Sequence, residues 1–198
     1  VTGDGSTGSL IVNHKDINKI AFTGSTQVGK LIQKSLAGRD VGLTLELGGK
    51  AANIVYEDAA IDQAVEGVVN GIFFNQGHVC CAGSRLLLQE SIHDEFVKKL
   101  EKRMQSLRVG NPLDKNTDIG AINSKEQLDK ITGLVNEGVE DGGELFQTEC
   151  ELPGNGFWFR PTLFTNVQPS YSIAREEIFG PVLTTLTFRT PEEAVEIA

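Results

Sequence analysis

The sequence has no long apolar run and no excess of basic residues. No stretch of its 198 residues approaches the ~18 to 20 consecutive apolar residues of a membrane span, and no signal-peptide pattern opens the chain. The net charge is −9, whereas nucleic acids and anionic membranes attract basic surfaces. We therefore predict a cytoplasmic protein that has neither nucleic acid nor membrane as a partner.

Cysteine and histidine are also scarce. The three cysteines are Cys80, Cys81 and Cys150; they include no Cys-x-x-Cys pair, and the three histidines lack the spacing of metal ligands. An odd number of cysteines gives no framework of paired disulfides, which fits a reducing compartment. We therefore predict no metal site.

Short apolar runs alternate with amphipathic segments along the chain. This alternation predicts an α/β fold with a largely parallel sheet. The predicted strands are 19–23, 43–47, 53–56, 85–89, 157–164 and 182–188. The predicted helices are 26–36, 61–74, 91–107 and 124–139, with a short helical run to residue 13 and another helix opening at residue 190. Ser91 and Ser124 are the expected N-caps of the third and fourth of these helices.

Two adjacent glycines, Gly48 and Gly49, form the predicted domain boundary. Only two strands precede them, which is too few for a free-standing nucleotide-binding sheet. The chain begins with Val1 rather than Met and stops inside a predicted helix. We therefore expect a fragment of a longer protein, with one domain over 1–48 and an incomplete second domain over 49–198.

The segment AFTGSTQVGKL differs by one residue from a phosphate-binding P-loop. Gly24, Gly29 and Lys30 match that motif, but Leu31 replaces the hydroxyl residue that would hold Mg²⁺. Helical spacing places Leu31 on the predicted buried face beside Val28. The alternatives are a plain helix cap, a dinucleotide pyrophosphate site at the helix N-terminus and, least favoured, a P-loop.

The segment FFNQGHVCCAGSR places two thiols between a predicted buried helix and a strand, among small residues. A thiolate is a strong nucleophile once its pKa is lowered, so Cys80 and Cys81 are candidates for covalent catalysis. The alternatives are inert buried cysteines and a Cys–His hydrolase that uses His78. Nothing in the sequence shows that the His78 ring reaches Cys80, which disfavours the hydrolase.

Two further segments, LELGGK and REEIFGPV, carry carboxylates. Glu46 lies between two leucines at the end of an apolar strand, where apolar surroundings would suit a general base. Pairing of Glu46 with Lys50 or with backbone amides is an equal alternative. The second segment, which contains Glu177, is by itself typical of a solvated turn before a strand.

Together, and in this order, the four segments resemble the aldehyde dehydrogenase superfamily over essentially the whole chain. The resemblance implies an α/β fold in which 1–48 is the end of a Rossmann-type dinucleotide-binding domain and 49–198 is an incomplete α/β catalytic domain. It also implies an aldehyde as the substrate and NAD or NADP as the cofactor. The parent protein would be a homodimer or homotetramer.

The resemblance also implies roles for single residues. Cys80, rather than Cys81, would be the nucleophile that forms a thiohemiacetal and then a thioester, and Glu46 would be the general base that activates Cys80 or the hydrolytic water. The residues implied for cofactor binding are Gly24, Ser25 and Val28 at the pyrophosphate and adenine, Leu47 and Gly48 near the nicotinamide, Glu177 at a ribose, and Phe179 beside the nicotinamide ring. The segment that differs from a P-loop would then be the dinucleotide phosphate site, which needs no Mg²⁺.

The chain departs from the family's pattern at His78, where Gln or Glu is usual, and this bears on substrate preference. The family's second oxyanion donor, an Asn, and its Lys-Pro segment would lie upstream of Val1, so we expect the fragment alone to be inactive. The alternatives are a non-catalytic member of the same fold and a P-loop-type nucleotide-binding protein. An acylating relative that passes the thioester to coenzyme A is disfavoured by the presence of Glu46.

Overall fold

A computed structural model describes all 198 residues, and the chain divides into two compact units, Val1–Gly48 and Gly49–Ala198. None of its helices is both long enough and apolar enough to cross a membrane. The assignment of the two units to a dinucleotide-binding and a catalytic domain stays a prediction.

The first unit is a two-stranded parallel sheet with two helices. Its elements are α1 (Gly5–Asn13), β1 (Lys19–Gly24), α2 (Thr26–Leu36) and β2 (Gly42–Leu47). Strands β1 and β2 pair in parallel, and their register runs from Lys19 opposite Gly42 to Gly24 opposite Leu47. The two strands therefore end together at one edge of the sheet.

The small core of the first unit corrects one expectation about α2. Val28 and Leu31 were predicted to be buried, but they are 42% and 63% exposed. Instead α2 turns Gly29, whose missing side chain admits the Leu47 side chain, toward the sheet. The buried apolar residues of this unit are Val12, Ile20, Ile32 and Leu36.

The second unit is a five-stranded sheet with helices on both faces. Its elements are β3 (Ala52–Val55), α3 (Ile61–Phe73), a 3-10 turn (Phe74–Gly77), β4 (Arg85–Gln89), a second 3-10 turn (Glu90–Ile92), α4 (His93–Met104), α5 (Lys125–Glu140), β5 (Glu144–Gln147), β6 (Thr162–Thr165), α6 (Ser172–Arg175), β7 (Val182–Phe188) and α7 (Pro191–Ile197). The strand order is β3-β4-β7-β6-β5, with only β5 antiparallel. The α/β fold with a largely parallel sheet is confirmed.

The central strands are apolar because both of their faces are covered. Leu86, Leu87 and Leu88 follow one another on β4, and none of them is exposed to solvent. Leu86 and Leu88 pack with α3 and α4 on one face, whereas Leu87 packs with α7 on the other. A continuous apolar run of this kind is typical of a parallel strand buried on both sides.

The structure confirms one predicted N-cap and contradicts the other. The Ser124 hydroxyl accepts a hydrogen bond from the Gln127 backbone N–H at 3.1 Å, so Ser124 caps α5. The prediction for Ser91 is wrong, since α4 begins at His93 after a 3-10 turn. The Ser91 hydroxyl donates instead to the Glu57 carboxylate at 2.7 Å.

The strand predicted over 157–164 is shorter than expected. It begins at Thr162 because Pro161 has no N–H to give to a ladder, and because the Phe157 carbonyl accepts from the Ile122 N–H at 2.7 Å, outside the sheet. The edge strand β5 and the four-residue helix α6 were not predicted.

Candidate active site

The start of α2 has the geometry of an anion site. Strand β1 ends at Gly24, and the Ser25 hydroxyl caps the helix by accepting from the Val28 N–H at 3.3 Å. The backbone N–H groups of Thr26 and Gln27 have no acceptor within the chain. These free donors and the helix dipole give this end of α2 a partial positive charge that suits a phosphate.

The parallel register brings several predicted site residues to the same edge. Gly24 lies opposite Leu47, and Thr23 lies opposite Glu46. A Cβ at Gly29 would lie 2.6 Å from a Leu47 methyl, so a glycine there allows α2 to lie close to the end of β2. Nucleotides bind at the carboxyl ends of parallel strands, and this edge has that character.

A cavity of about 650 Å³ lies between α1, β1 and α2, and most of its wall is apolar. Val28, Leu31 and Phe22 contribute side chains to it, and Gly5 and Gly8 of α1 complete it. Val28 and Leu31 are therefore exposed because their side chains form part of the wall of this open cavity. Its size is in the range of small-molecule pockets.

Glu46 has different surroundings from those expected. It is exposed at the end of β2, so the prediction of apolar surroundings for its carboxylate is wrong for this chain. The two leucines beside it point to the other face of the strand, since side chains alternate along a strand. Glu46 therefore stands between two leucines in the sequence, but its side chain lies on the opposite face of the strand from theirs.

The segment that leads to Cys80 is a left-handed turn at the end of α3. Asn75, Gln76 and Gly77 have φ values of 49°, 48° and 74°, a run that only the glycine adopts without strain. The turn is held by the Asn75 amide, which donates to the His78 carbonyl at 3.1 Å, and by the Gln76 side chain, which accepts from the Gly120 N–H at 3.0 Å. Strained backbone of this kind clusters at functional sites.

Both cysteines that follow this turn are exposed. The alternative in which Cys80 and Cys81 are inert buried residues therefore does not describe this chain. A substrate can reach either thiol, and exposure alone does not distinguish the two.

Helix α5 anchors the segment that contains Glu177 and Phe179. The Gln127 amide donates to the Ile178 carbonyl at 2.8 Å and to the Phe179 carbonyl at 3.0 Å, and the Lys130 ammonium donates to the Glu177 carbonyl at 2.7 Å. Sequence reasoning missed Gln127 and Lys130. Their spacing of one helical turn was the only signal, since their acceptors are backbone carbonyls that every residue has.

The left-handed turn that precedes Cys80 and the segment that contains Glu177 and Phe179 pack directly on each other. A side chain at Gly77 would collide with the Gly180 backbone carbonyl. One residue later, the His78 ring stacks on the Phe179 ring with 5.3 Å between centroids and an angle of 6°. The second unit therefore brings the candidate nucleophile segment together with two predicted cofactor residues.

Lys50 is the most perturbed titratable group of the second unit. Its Nζ is buried and has no hydrogen-bond partner. Burial lowers the pKa of Lys50 from 10.5 to about 7, with Arg85 and Lys130 acting in the same direction and Glu177 opposing them. An amine with so low a pKa near the predicted ribose-binding Glu177 was not expected from the sequence.

The predicted site residues are divided between the two units. Gly24, Ser25, Val28, Glu46, Leu47 and Gly48 belong to the first, and Cys80, Glu177 and Phe179 to the second. The segments that carry the second group pack on each other.

The sequence model of the aldehyde dehydrogenase family matches residues 1–198. The chain belongs to the aldehyde dehydrogenase family. This confirms the resemblance found in the four segments.

Characterised relatives include retinal dehydrogenase 2 of Rattus norvegicus, which is 48% identical over 198 residues, covering 98% of this chain and 38% of the relative. The enzyme of the same name from Taeniopygia guttata is 48% identical over 196 residues, covering 96% and 37%. The chain thus spans less than two fifths of the length of these relatives.

Solved structures show the same fold. An NAD-dependent aldehyde dehydrogenase from Sinorhizobium meliloti matches with a TM-score of 0.95 and 41% identity, covering 100% of this chain and 40% of that one. Betaine aldehyde dehydrogenase from Staphylococcus aureus, in complex with NAD⁺, matches with a TM-score of 0.94 and 36% identity, covering 100% and 40%. The aldehyde-dehydrogenase-like fold is confirmed.

Proposed function

We propose that the protein carrying this chain oxidises an aldehyde to a carboxylic acid and passes the hydride to NAD or NADP. The observation that carries the proposal is the exposed Cys80 thiol, which closely follows a strained turn. That turn and His78 after it pack against the segment that contains Glu177 and Phe179. Membership of the family and likeness to NAD⁺-bound and NAD-dependent structures support the same reaction.

The residues of this chain fit a dinucleotide in chemical character. Gly24 and Ser25 at the start of α2 would take the pyrophosphate, because that helix end offers free N–H donors. Val28 and the apolar cavity beside it would take the adenine. The residues proposed for the nicotinamide half are Leu47, Gly48, Glu177 and Phe179. When bound, the nicotinamide supplies the acceptor for the hydride.

Cys80 would carry the covalent chemistry. Its thiolate attacks the aldehyde carbon, and the carbonyl oxygen becomes an oxyanion that the Cys80 backbone N–H helps to stabilise. Loss of the hydride from that carbon leaves a thioester on Cys80. Glu46 then takes a proton from a water molecule, the resulting hydroxide attacks the thioester, and the carboxylic acid leaves as the thiolate is restored.

Substitution of the two neighbouring cysteines tests this proposal. In the protein that carries this chain, we expect NADH formation from a panel of aldehydes to vanish in Cys80→Ser and to persist in Cys81→Ser. The second variant is a matched control because its thiol is adjacent and also exposed. Both dinucleotides are to be tried, each with and without coenzyme A.

Three outcomes would overturn parts of the proposal. Activity that survives in Cys80→Ser and is lost in Cys81→Ser would move the nucleophile by one residue. Product release that requires coenzyme A would replace water as the acyl acceptor. If no aldehyde reduces either dinucleotide, the chain would belong to a non-catalytic member of the family.

A further inference from the structure

We propose that His78 is a positioning residue that holds the Phe179 ring beside the nicotinamide and so sets the affinity for the dinucleotide. The inference rests on the proposed function and deepens it. It starts from the parallel stack of the two rings, whose centroids are 5.3 Å apart. An offset stack is a favoured arrangement of flat rings.

The backbone at Phe179 is held in an unusual conformation. Its φ is 55°, which is uncommon for a bulky side chain and has to be imposed by the surroundings. The surroundings do so through the Gln127 amide, which binds the Ile178 and Phe179 carbonyls, and through Ile178, which is 1% exposed. These contacts fix the backbone, but none of them fixes the ring.

The Phe179 ring is only partly buried, and His78 is its aromatic neighbour. Without that neighbour, rotation about its side-chain bonds would be less restricted. A ring intended to flank a flat nicotinamide loses affinity when it must be ordered at the moment of binding. The His78 ring therefore prepares Phe179 for its ligand.

His78 is itself well anchored. Its backbone N–H donates to the Asn75 backbone carbonyl at 2.9 Å, and its backbone carbonyl accepts from the Asn75 side-chain amide at 3.1 Å. Gly77 immediately before it packs on the Gly180 carbonyl, so the backbones on the two sides of the stack are in contact. The imidazole is thus presented from a fixed turn rather than from a free loop.

The polar edge of the imidazole contributes no hydrogen bond that could explain its presence. The His78 Nε2 is buried and unpartnered. Burial lowers the pKa of His78, which favours the neutral ring. The imidazole consequently contacts Phe179 through its flat face. A phenyl ring at position 78 should hold the Phe179 ring equally well.

Three variants of the protein that carries this chain test the inference: His78→Ala, His78→Phe and Phe179→Leu, with the double variant of the first and third. The dissociation constant of NADH is measured from its fluorescence, and the KM for the dinucleotide and for the aldehyde from initial rates. Thermal unfolding checks that each variant is folded.

We expect His78→Ala to raise the NADH dissociation constant about 2- to 10-fold, the range given by loss of one aromatic pair. The KM for the dinucleotide should rise with the dissociation constant. His78→Phe should restore wild-type binding, because it keeps the stack. In the Phe179→Leu background, His78→Ala should add almost nothing, because the residue it acts through is gone.

The inference is overturned if His78→Ala binds NADH as the wild type does, or if His78→Phe is as impaired as His78→Ala. Full additivity of the double variant would also overturn it. Direct binding separates this inference from the proposed function. A wild-type protein that binds no dinucleotide refutes both, whereas unchanged binding in a folded His78→Ala variant refutes the role of His78 alone.

Discussion

The buried amine of Lys50 makes the stability of the second unit depend on pH in a way that can be worked out. Nζ has no hydrogen-bond partner and is shielded from water. Replacement by methionine keeps a straight side chain of similar length and removes the charge. We expect Lys50→Met to raise the free energy of unfolding near neutral pH.

The magnitude follows from the pKa. A fall from 10.5 to about 7 corresponds to roughly 5 kcal/mol against the charged form, at 1.36 kcal/mol for each tenfold change in the protonation equilibrium. Below pH 7 both the folded and the unfolded state hold the proton, so the whole of this free energy destabilises the folded state. Between about pH 7 and 10.5 the unfolded state holds more protons, so stability rises with pH by about 1.4 kcal/mol per pH unit.

Urea unfolding of the wild type and Lys50→Met between pH 6 and 9 measures this effect. The variant should be more stable by a few kcal/mol at pH 6, and the difference should shrink as the pH rises above 7. Lys102→Met is the control, since Lys102 is exposed on α4 and its replacement should leave the pH dependence unchanged. A difference that stays constant with pH, or a Lys50→Met variant less stable than the wild type at pH 6, would refute the reasoning.

Two further predictions concern the base and the turn. Glu46→Gln should leave the first-turnover burst of NADH but lower steady-state turnover by about 10²- to 10⁴-fold, because hydrolysis of the thioester would lose its proposed base. An equal loss of burst and turnover would instead assign Glu46 to the activation of Cys80. Gly77→Ala should destabilise by at least about 2 kcal/mol in urea unfolding, since φ is 74° and its methyl group would collide with the Gly180 carbonyl. The control Gly67→Ala, in open space on α3, should stabilise by up to about 1 kcal/mol, and a Gly77→Ala variant as stable as that control would contradict the geometry.

Local patterns predicted the elements that local interactions determine. The predictions of strand β4 and of the Ser124 cap of α5 use residues within a few positions of one another, and both are confirmed. The prediction that Ser91 caps α4 is wrong for a non-local reason. Its hydroxyl binds Glu57, 34 residues earlier in the chain, and that partner has no local signature.

The contacts that organise the candidate site join residues that are too far apart in the sequence for a local pattern to predict them. Gln127 binds carbonyls 51 and 52 residues later, and Lys130 binds one 47 residues later. A backbone carbonyl carries no sequence identity, so these anchors become visible only in the fold. The stack of His78 on Phe179 is of the same kind, because the two residues are far apart in the sequence.

The proposed dinucleotide site at the start of α2 has a physical reason to differ from a P-loop by one residue. A P-loop needs a hydroxyl after its lysine, close to the phosphates, to hold Mg²⁺. Here that position is Leu31, which lies more than one turn into α2, is 63% exposed and forms the wall of an apolar cavity. The N–H groups of Thr26 and Gln27 are free at the start of the same helix. One helix thus offers polar donors at its end and an apolar surface along its side, which matches a diphosphate joined to a flat heterocycle and gives Mg²⁺ no ligand at position 31.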